Sequence, residues 1–446
     1  MFHKQLFILA HQVGDKNFYP TYKKLIQNQW KSYEELKEEQ EKQLRHLINF
    51  VYRNVPYYHK LFDCLKLSPD DVIKIEDLEK LPILTKSIIK ENWDAFKPIN
   101  LNKMKYHAQS TGGSTGNPLQ YRLLKYDRFL AGALLYRGWG YADYELGDKM
   151  VFLAGTSLDV GSKPFAIKKI HEIARNLKKL SAFDMGNADM KIYADIINSF
   201  KPNFMRGYAS SIDFFAKYIE EMDIKIYHPS AIFTTAEKLY PHMKQRIGNA
   251  FGCEVYDGYG LNDGGVSAYE CKEHCGLHID AERSIMEIVS DEGDQVSCGE
   301  GKILATSLYN YAMPFIRYET GDLGEITDDV CACGRHTKIL KKIVGRDKEL
   351  LITPTGKYVH GAAFYNDIIG EFKEANNIIE CQIIQSKKES IIFNMICNNN
   401  FNATQLQNIQ NIVKKRSEGW DVEFRVVDKI ERTKAGKYKF IISKLV

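Results

Sequence analysis

Short apolar runs alternate with amphipathic stretches along most of this chain, and that alternation constrains the fold more than any other feature. Residues 150–154, 231–234 and 302–308 are apolar runs bounded by turn residues, which predicts buried strands. Ser32 followed by Glu35 is a capping-box pattern. Leu36, Leu44, Leu47, Ile48 and Val51 then recur at helical spacing, and Pro56 is expected to end that helix. Residues 164–180 read as another amphipathic helix, with Ile167, Ile170, Ile173, Ala174 and Leu177 on one face. Strands alternating with helices predict an α/β architecture.

A chain of 446 residues exceeds one small core and predicts two or three domains. Composition shifts near Gly345. Beyond it, residues 378–384, 390–396 and 422–427 alternate in polarity, with helical stretches between them, which predicts a small α+β unit. The expected division is a large unit at 1–346 and a small one at 347–446, with a hinge around 346–350.

The net charge of +4 argues against a dedicated nucleic-acid binder, which needs a concentrated basic face. No stretch reaches the roughly 18 consecutive apolar residues of a spanning helix. The short run at 6–10 lacks the length and cleavage site of a secretory signal. The N-terminus is therefore read as mature protein and the expected compartment is the cytoplasm. Nothing in the sequence speaks to oligomeric state.

Ser110-Thr111-Gly112-Gly113-Ser114-Thr115-Gly116-Asn117-Pro118 is the most informative stretch. Its glycines let the backbone turn sharply and approach a ligand, and successive N–H groups in such a turn form an anion site. No lysine follows Gly116, so it is not a Walker loop. Alone, the same composition suits a flexible surface loop.

Four later segments give the loop its context. They are Asp257-Gly258-Tyr259-Gly260-Leu261-Asn262-Asp263, Arg317-Tyr318-Glu319-Thr320-Gly321-Asp322, Val344-Gly345-Arg346 and Arg432-Thr433-Lys434-Ala435-Gly436-Lys437. Read in this order with the loop, the chain resembles the adenylate-forming superfamily. More narrowly it resembles the phenylacetate–CoA ligase branch, including its capsule-biosynthesis relatives. Residues 43–62, containing Asn54-Val55-Pro56-Tyr57-Tyr58, resemble that branch too, so the likeness runs over nearly the whole chain. It implies a large N-terminal adenylate-forming domain of mixed sheets and helices, plus a small mobile α+β C-terminal domain.

The resemblance also implies roles. Ser110, Thr111, Gly112, Gly113, Ser114, Thr115 and Gly116 hold the ATP phosphates. Asp257, Gly258, Tyr259, Gly260 and Asn262 form the nucleotide-side loop, where Tyr259 stacks on adenine and Asp263 holds magnesium. Asp263 stands where the family usually has glutamate, and Asn262 where it has threonine or serine. A hard cation still finds an oxygen ligand there. Asp322 resembles the ribose-binding acid, Arg346 a nucleotide-contacting arginine, and Lys348 occupies the hinge position. Glu237 matches a segment on the nucleotide side. Arg206 matches one near the acyl pocket, where it either meets a substrate carboxylate or bridges two structural elements. Lys437 resembles the catalytic lysine, whose charge offsets the negative charge that develops during attack on the α-phosphorus.

Cys271, Cys275 and His278 lie close in sequence, and Cys331 and Cys333 follow. Thiolate and imidazole ligands at this density suit tetrahedral zinc. Reduced free thiols are the alternative. Some members of the branch carry zinc at matching positions, and the expected quartet is Cys271, His278, Cys331 and Cys333, with Cys275 as substitute. Such a structural zinc would organise the subregion 271–333.

The implied reaction is ATP-dependent activation of a carboxylic acid to an acyl- or aryl-AMP with release of pyrophosphate, followed by transfer to coenzyme A. An amine or sugar acceptor in surface-polysaccharide biosynthesis is the alternative. A P-loop NTPase, a zinc-stabilised nucleic-acid-binding protein and a silent adenylate fold are the competing classes.

Overall fold

The computed structural model describes residues 2–111, 119–154, 165–182, 185–346, 350–356, 358–360, 377–398, 400–416, 419–431 and 438–445. Gly112, Gly113, Ser114, Thr115, Gly116, Lys348 and Lys437 lie outside the described residues.

The centre is a five-stranded parallel sheet in the order Leu177–Ser181, Met150–Ala154, Phe204–Tyr208, Ala231–Thr235, Glu254–Tyr256. Parallel strands need crossovers, which cover both sheet faces. Val151, Leu153, Met205, Ile232 and Val255 pack on one face with Ile212, Phe215, Ile247 and Phe251 from the helices Ala209–Glu221 and Pro241–Phe251. Phe204 and Phe233 meet the helix Lys125–Gly140 through Leu134 and Trp139 on the other.

A seven-stranded antiparallel sheet follows in the order Ser284–Val289, Gly299–Ser307, Tyr318–Thr327, Ile339–Arg346, Leu277–Ile279, Ser267–Glu270, Gly258–Gly260. The apolar runs at 150–154 and 231–234 fall in strands, as does the run at 302–308 up to Ser307. A mixed four-stranded sheet in the order Asp421–Val426, Ser390–Cys397, Ile378–Lys387, Ile441–Ser443 shares no strand with the others. With the helix Ala403–Arg416 it forms the expected α+β arrangement. Lys217 Nζ donates to the Ile378 carbonyl at 3.2 Å, and the Tyr240 and Phe440 rings meet edge to face, so this sheet rests on the large unit.

The helix Tyr33–Asn54 starts on the capping box, with Ser32 and Glu35 satisfying each other's backbone N–H groups. Its apolar residues Leu36, Leu44, Leu47, Ile48 and Val51 are buried. Pro56 does more than stop it. The proline opens a second helix, Pro56–Leu65, at a position that needs no N–H.

The expected helix over 164–180 is corrected. Helix Phe165–Ala174 ends there, Asn176 takes φ +52°, and Leu177–Ser181 pairs in parallel with Met150–Ala154. Leu177 is thus a strand residue, and Ile170 and Ile173 are 63% and 65% exposed. A single helical period had absorbed a helix, a turn and an edge strand. Among the described residues no helix is long and apolar enough to cross a membrane.

Candidate active site

The strands of the parallel sheet end beside the segments singled out above. Thr234 and Thr235 close the strand Ala231–Thr235, and Asp257 follows Glu254–Tyr256. Asp257 accepts from Thr234 Oγ1 at 2.7 Å and from the Gly258 N–H at 2.9 Å. Burial pushes its pKa up to about 6. Both bonds brace the turn that launches Tyr259.

Tyr259 lies on the edge strand, with three strands between it and the strand carrying Asp322. Its hydroxyl nevertheless donates to Asp322 Oδ2 at 3.0 Å. Strands spaced about 4.8 Å apart in a flat sheet could not allow this, so the sheet curls to bring its edge over the third strand. Asp322 sits opposite Arg346 in the ladder, and Arg346 Nε lies 3.2 Å from Asp322 Oδ1. Three predicted residues therefore form one polar chain.

Asp263 is buried beneath it and accepts from the Tyr318 hydroxyl at 2.7 Å. Burial raises its pKa, outweighing the Tyr318 hydrogen bond and the nearby Lys86 charge. Lys86 is placed by pairing of Leu84 with the strand at Tyr318, through bonds to the Arg317 carbonyl and from the Glu319 N–H, both 2.9 Å. Tyr121 also faces Asp263 electrostatically. Its strand, Gln120–Leu124, pairs with Tyr106–Ser110. Thr111 and Leu119 close the stem of the glycine-rich loop with two bonds of 2.9 Å.

Glu237 joins two units. Its Oε2 accepts from the Ser210 N–H at 3.0 Å, at the start of the helix Ala209–Glu221, and its Oε1 accepts from the Tyr438 N–H at 2.9 Å. The residue following Lys437 is thereby held at the carboxyl ends of two central strands of the parallel sheet, Phe204–Tyr208 and Ala231–Thr235.

A cavity of about 450 Å³ runs from Tyr259 and Asn262 along the sheet face toward Trp139, Phe152 and Arg175. Arg206 lies midway, between Phe152 and Phe233 in the strand register. Its guanidinium stands 5.1 Å from the Trp139 ring, 5.8 Å from that of Phe152, and 3.4 Å from Thr235 Oγ1.

The surroundings match known proteins. A model of the CapK C-terminal domain matches residues 351–444. Protein CapK of Staphylococcus aureus is 26% identical over 98% of this chain and 95% of its own length. The phenylacetate-coenzyme A ligase of Escherichia coli strain K12 is 28% identical over 72% of this chain and 73% of its own. A crystal structure of a 2-hydroxyisobutyryl-CoA ligase in the postadenylation state superposes with a TM-score of 0.75, covering 94% of this chain and 91% of that one at 18% identity. Over nearly its whole length the chain is thus similar to adenylate-forming proteins of the phenylacetate–CoA ligase-like branch, Protein CapK included. An open conformation of the same 2-hydroxyisobutyryl-CoA ligase gives a TM-score of 0.61.

In this adenylate-forming chain the cysteine group sits at one end of the antiparallel sheet. Cys271, Cys275, His278 and Cys331 offer ligand atoms all within 4.8 Å of one another. Zinc–sulfur bonds of about 2.3 Å in a tetrahedron place sulfurs about 3.8 Å apart, and Cys271 and Cys331 Sγ are 3.6 Å apart. Thr337 Oγ1 lies 3.0 Å from His278 Nδ1, and burial lowers the His278 pKa to about 4, leaving the neutral imidazole that metals take. The donor set fits zinc. The tightest grouping takes in Cys275, the expected substitute, whose Sγ is 3.1 Å from Cys331 Sγ, while Cys333 Sγ lies 3.3 Å from His278 Nε2, also within reach of a shared ion. The turn after Cys271 is stacked against the turn holding Cys331, which spacing alone does not reveal.

The sequence reading gave no role to Tyr318, Lys86, Trp139 or Arg175. Tyr318 stood inside a recognised segment. The other three carried no local signal.

Proposed function

We propose that this chain is an ATP-dependent ligase that converts a carboxylic acid to its acyl-AMP and then passes the acyl group to coenzyme A. The observation that carries this reading is the bond between Glu237 and the Tyr438 N–H, which brings the backbone beside Lys437 to the carboxyl end of the cavity-bearing sheet. In the first half-reaction a substrate carboxylate oxygen bonds to the α-phosphorus and the bond to pyrophosphate breaks. The loop rooted at Ser110 and Thr111, with Gly112, Gly113, Ser114, Thr115 and Gly116, holds the phosphates. Tyr259, Asp322 and Arg346 hold the nucleoside, and Gly258, Gly260 and Asn262 shape the wall beside it. Asp263 would hold magnesium, which offsets charge on the triphosphate. Lys437 offsets the charge that develops at the α-phosphate. In the second half-reaction the acceptor thiol loses its proton to solvent, its sulfur bonds to the acyl carbon, and AMP leaves.

The unit boundary at 346/347 and a pivot at Lys348 belong to the same reading, because Lys437 must withdraw before the acceptor enters. Zinc at the cysteine group is proposed as structural, and the cytoplasm as the compartment.

A second acceptor reading has its own support. The phenylacetate-coenzyme A ligase relatives align with 72% of this chain, whereas Protein CapK aligns with 98% and the CapK C-terminal domain matches 351–444. An amine or sugar acceptor in surface-polysaccharide biosynthesis suits a C-terminal unit of that type.

Pyrophosphate exchange into ATP, run with a panel of aryl, fatty, dicarboxylic and amino acids, tests the first half-reaction. Exchange with at least one acid is expected, and Lys437→Ala and Asp322→Ala should each lower it about 100-fold or more. Failure of every acid would overturn the reading. Release of AMP that depends on added coenzyme A separates the two acceptors.

A further inference from the structure

The acid-binding cavity has a pronounced segregation of charge. Its nucleotide end carries Asp257 and Glu270, both already bonded, Asp257 to Thr234 and Gly258, Glu270 to Lys244 at 2.7 Å. The remainder carries three arginines, Arg128, Arg175 and Arg206, with His171 beside them. Among the described residues, no carboxylate pairs with any of these three. The fourth arginine on the wall, Arg283, is spent on Asp127 through bonds of 2.9 and 2.7 Å.

Arg206 is enclosed by Trp139 and Phe152, whose ring faces stabilise a cation without neutralising it. Arg175 Nε is buried and has no hydrogen-bond partner. Burial desolvates the Arg206 guanidinium, which is costly unless an anion meets it, while half-buried Arg175 and exposed Arg128 keep hydrated charge facing an entering anion. A simple aryl or fatty acid brings one carboxylate, and that carboxylate loses its charge on becoming the acyl-AMP. The arginines away from the nucleotide's phosphate would then again face an uncharged acyl group.

We propose that the acid activated here carries a second carboxylate, which stays ionised throughout and is held at the Arg175 end of the cavity while the first reacts near Tyr259. This inference rests on the acid-activating reading above and names its substrate class. The aromatic wall of Trp139, Phe152 and Phe233 lies between the two ends, so the linking carbons are apolar. Arg175 is thus a specificity-determining residue.

The test uses matched acids in pyrophosphate exchange: adipate against its monoamide and hexanoate, and 4-carboxyphenylacetate against its 4-carboxamide and phenylacetate. The diacid of each set is expected to exceed its amide at least tenfold in kcat/KM. Arg175→Gln should reduce that ratio at least tenfold, with the melting temperature measured alongside to show that the variant folds. Equal or better use of the amides, or an unchanged ratio in folded Arg175→Gln, overturns the proposal. Calorimetric binding of the same acids without ATP keeps the two readings separable. Tighter binding of the diacids with no exchange would sink the ligase reading and sustain the two-carboxylate site. Absence of any diacid preference in binding would sink the site itself.

Discussion

The Tyr438 backbone N–H donates to Glu237 Oε1 at 2.9 Å, while the other carboxylate oxygen of Glu237 caps the Ser210 N–H. One carboxylate thus couples Tyr438, the residue after Lys437, to the start of the helix Ala209–Glu221. A hydrogen bond to an ionised group contributes about 1.5–3 kcal/mol. Glu237→Ala should lower pyrophosphate exchange roughly tenfold or more, while consumption of a supplied acyl-AMP with coenzyme A changes less than about threefold. Equal losses in the two half-reactions would show that Glu237 acts on the whole fold.

The Tyr259 hydroxyl fixes one oxygen of Asp322 as Arg346 approaches the other. Tyr259→Phe keeps the ring and removes this bond. KM for ATP should rise by about threefold to tenfold, with KM for the acid unchanged. Steady-state exchange at varied ATP and varied acid reads this directly.

Asp257 carries its proton to about pH 6 in the folded chain, against 3.8 for an exposed aspartate, because burial penalises its charge. Between those values the folded state binds the extra proton, so stability contributed by this group falls as pH rises through 6 and is fully present only near pH 4. Asp257→Asn keeps an oxygen for Thr234 and Gly258 and cannot ionise. Relative to the parent chain, it should gain on the order of 2 kcal/mol of stability between pH 4.5 and 8. Urea unfolding at both pH values measures the difference; parallel curves would remove the argument.

Metal content should approach one zinc per chain if the cysteine group binds as its geometry allows. Cys331→Ser removes the thiol that touches both Cys271 and Cys275 and should abolish binding. Cys275→Ser should lose metal, and Cys333→Ser should keep it. The reverse pattern would restore the quartet drawn from the sequence.

Legibility varied with the range of the interaction. The capping box at Ser32 and Glu35 and the apolar stripe from Leu36 to Val51 were visible because helix starts and stripes are set within a few residues. Residues 164–180 misled because Ile170, Ile173 and Leu177 keep helical spacing across a chain turn at Asn176, and only the neighbouring strand Met150–Ala154 recruits Leu177 into a sheet. The segments around Tyr259, Asp322 and Arg346 were recognisable one by one. Their contact was not, since it depends on the curl of a seven-stranded sheet.

Read along the chain alone, residue chemistry and short-range spacing already pointed to an α/β architecture, a glycine- and hydroxyl-rich loop without a Walker lysine, and a thiol–imidazole group suited to zinc. Those features depend on local backbone preference and on which atoms a side chain carries. Tertiary structure decided which cysteines gather, that Glu237 reaches Tyr438, and that three arginines line one cavity with no acid to pair with among the described residues. Each of these is a meeting of segments tens to hundreds of residues apart, fixed by sheet register and helix packing, and no local pattern encodes it.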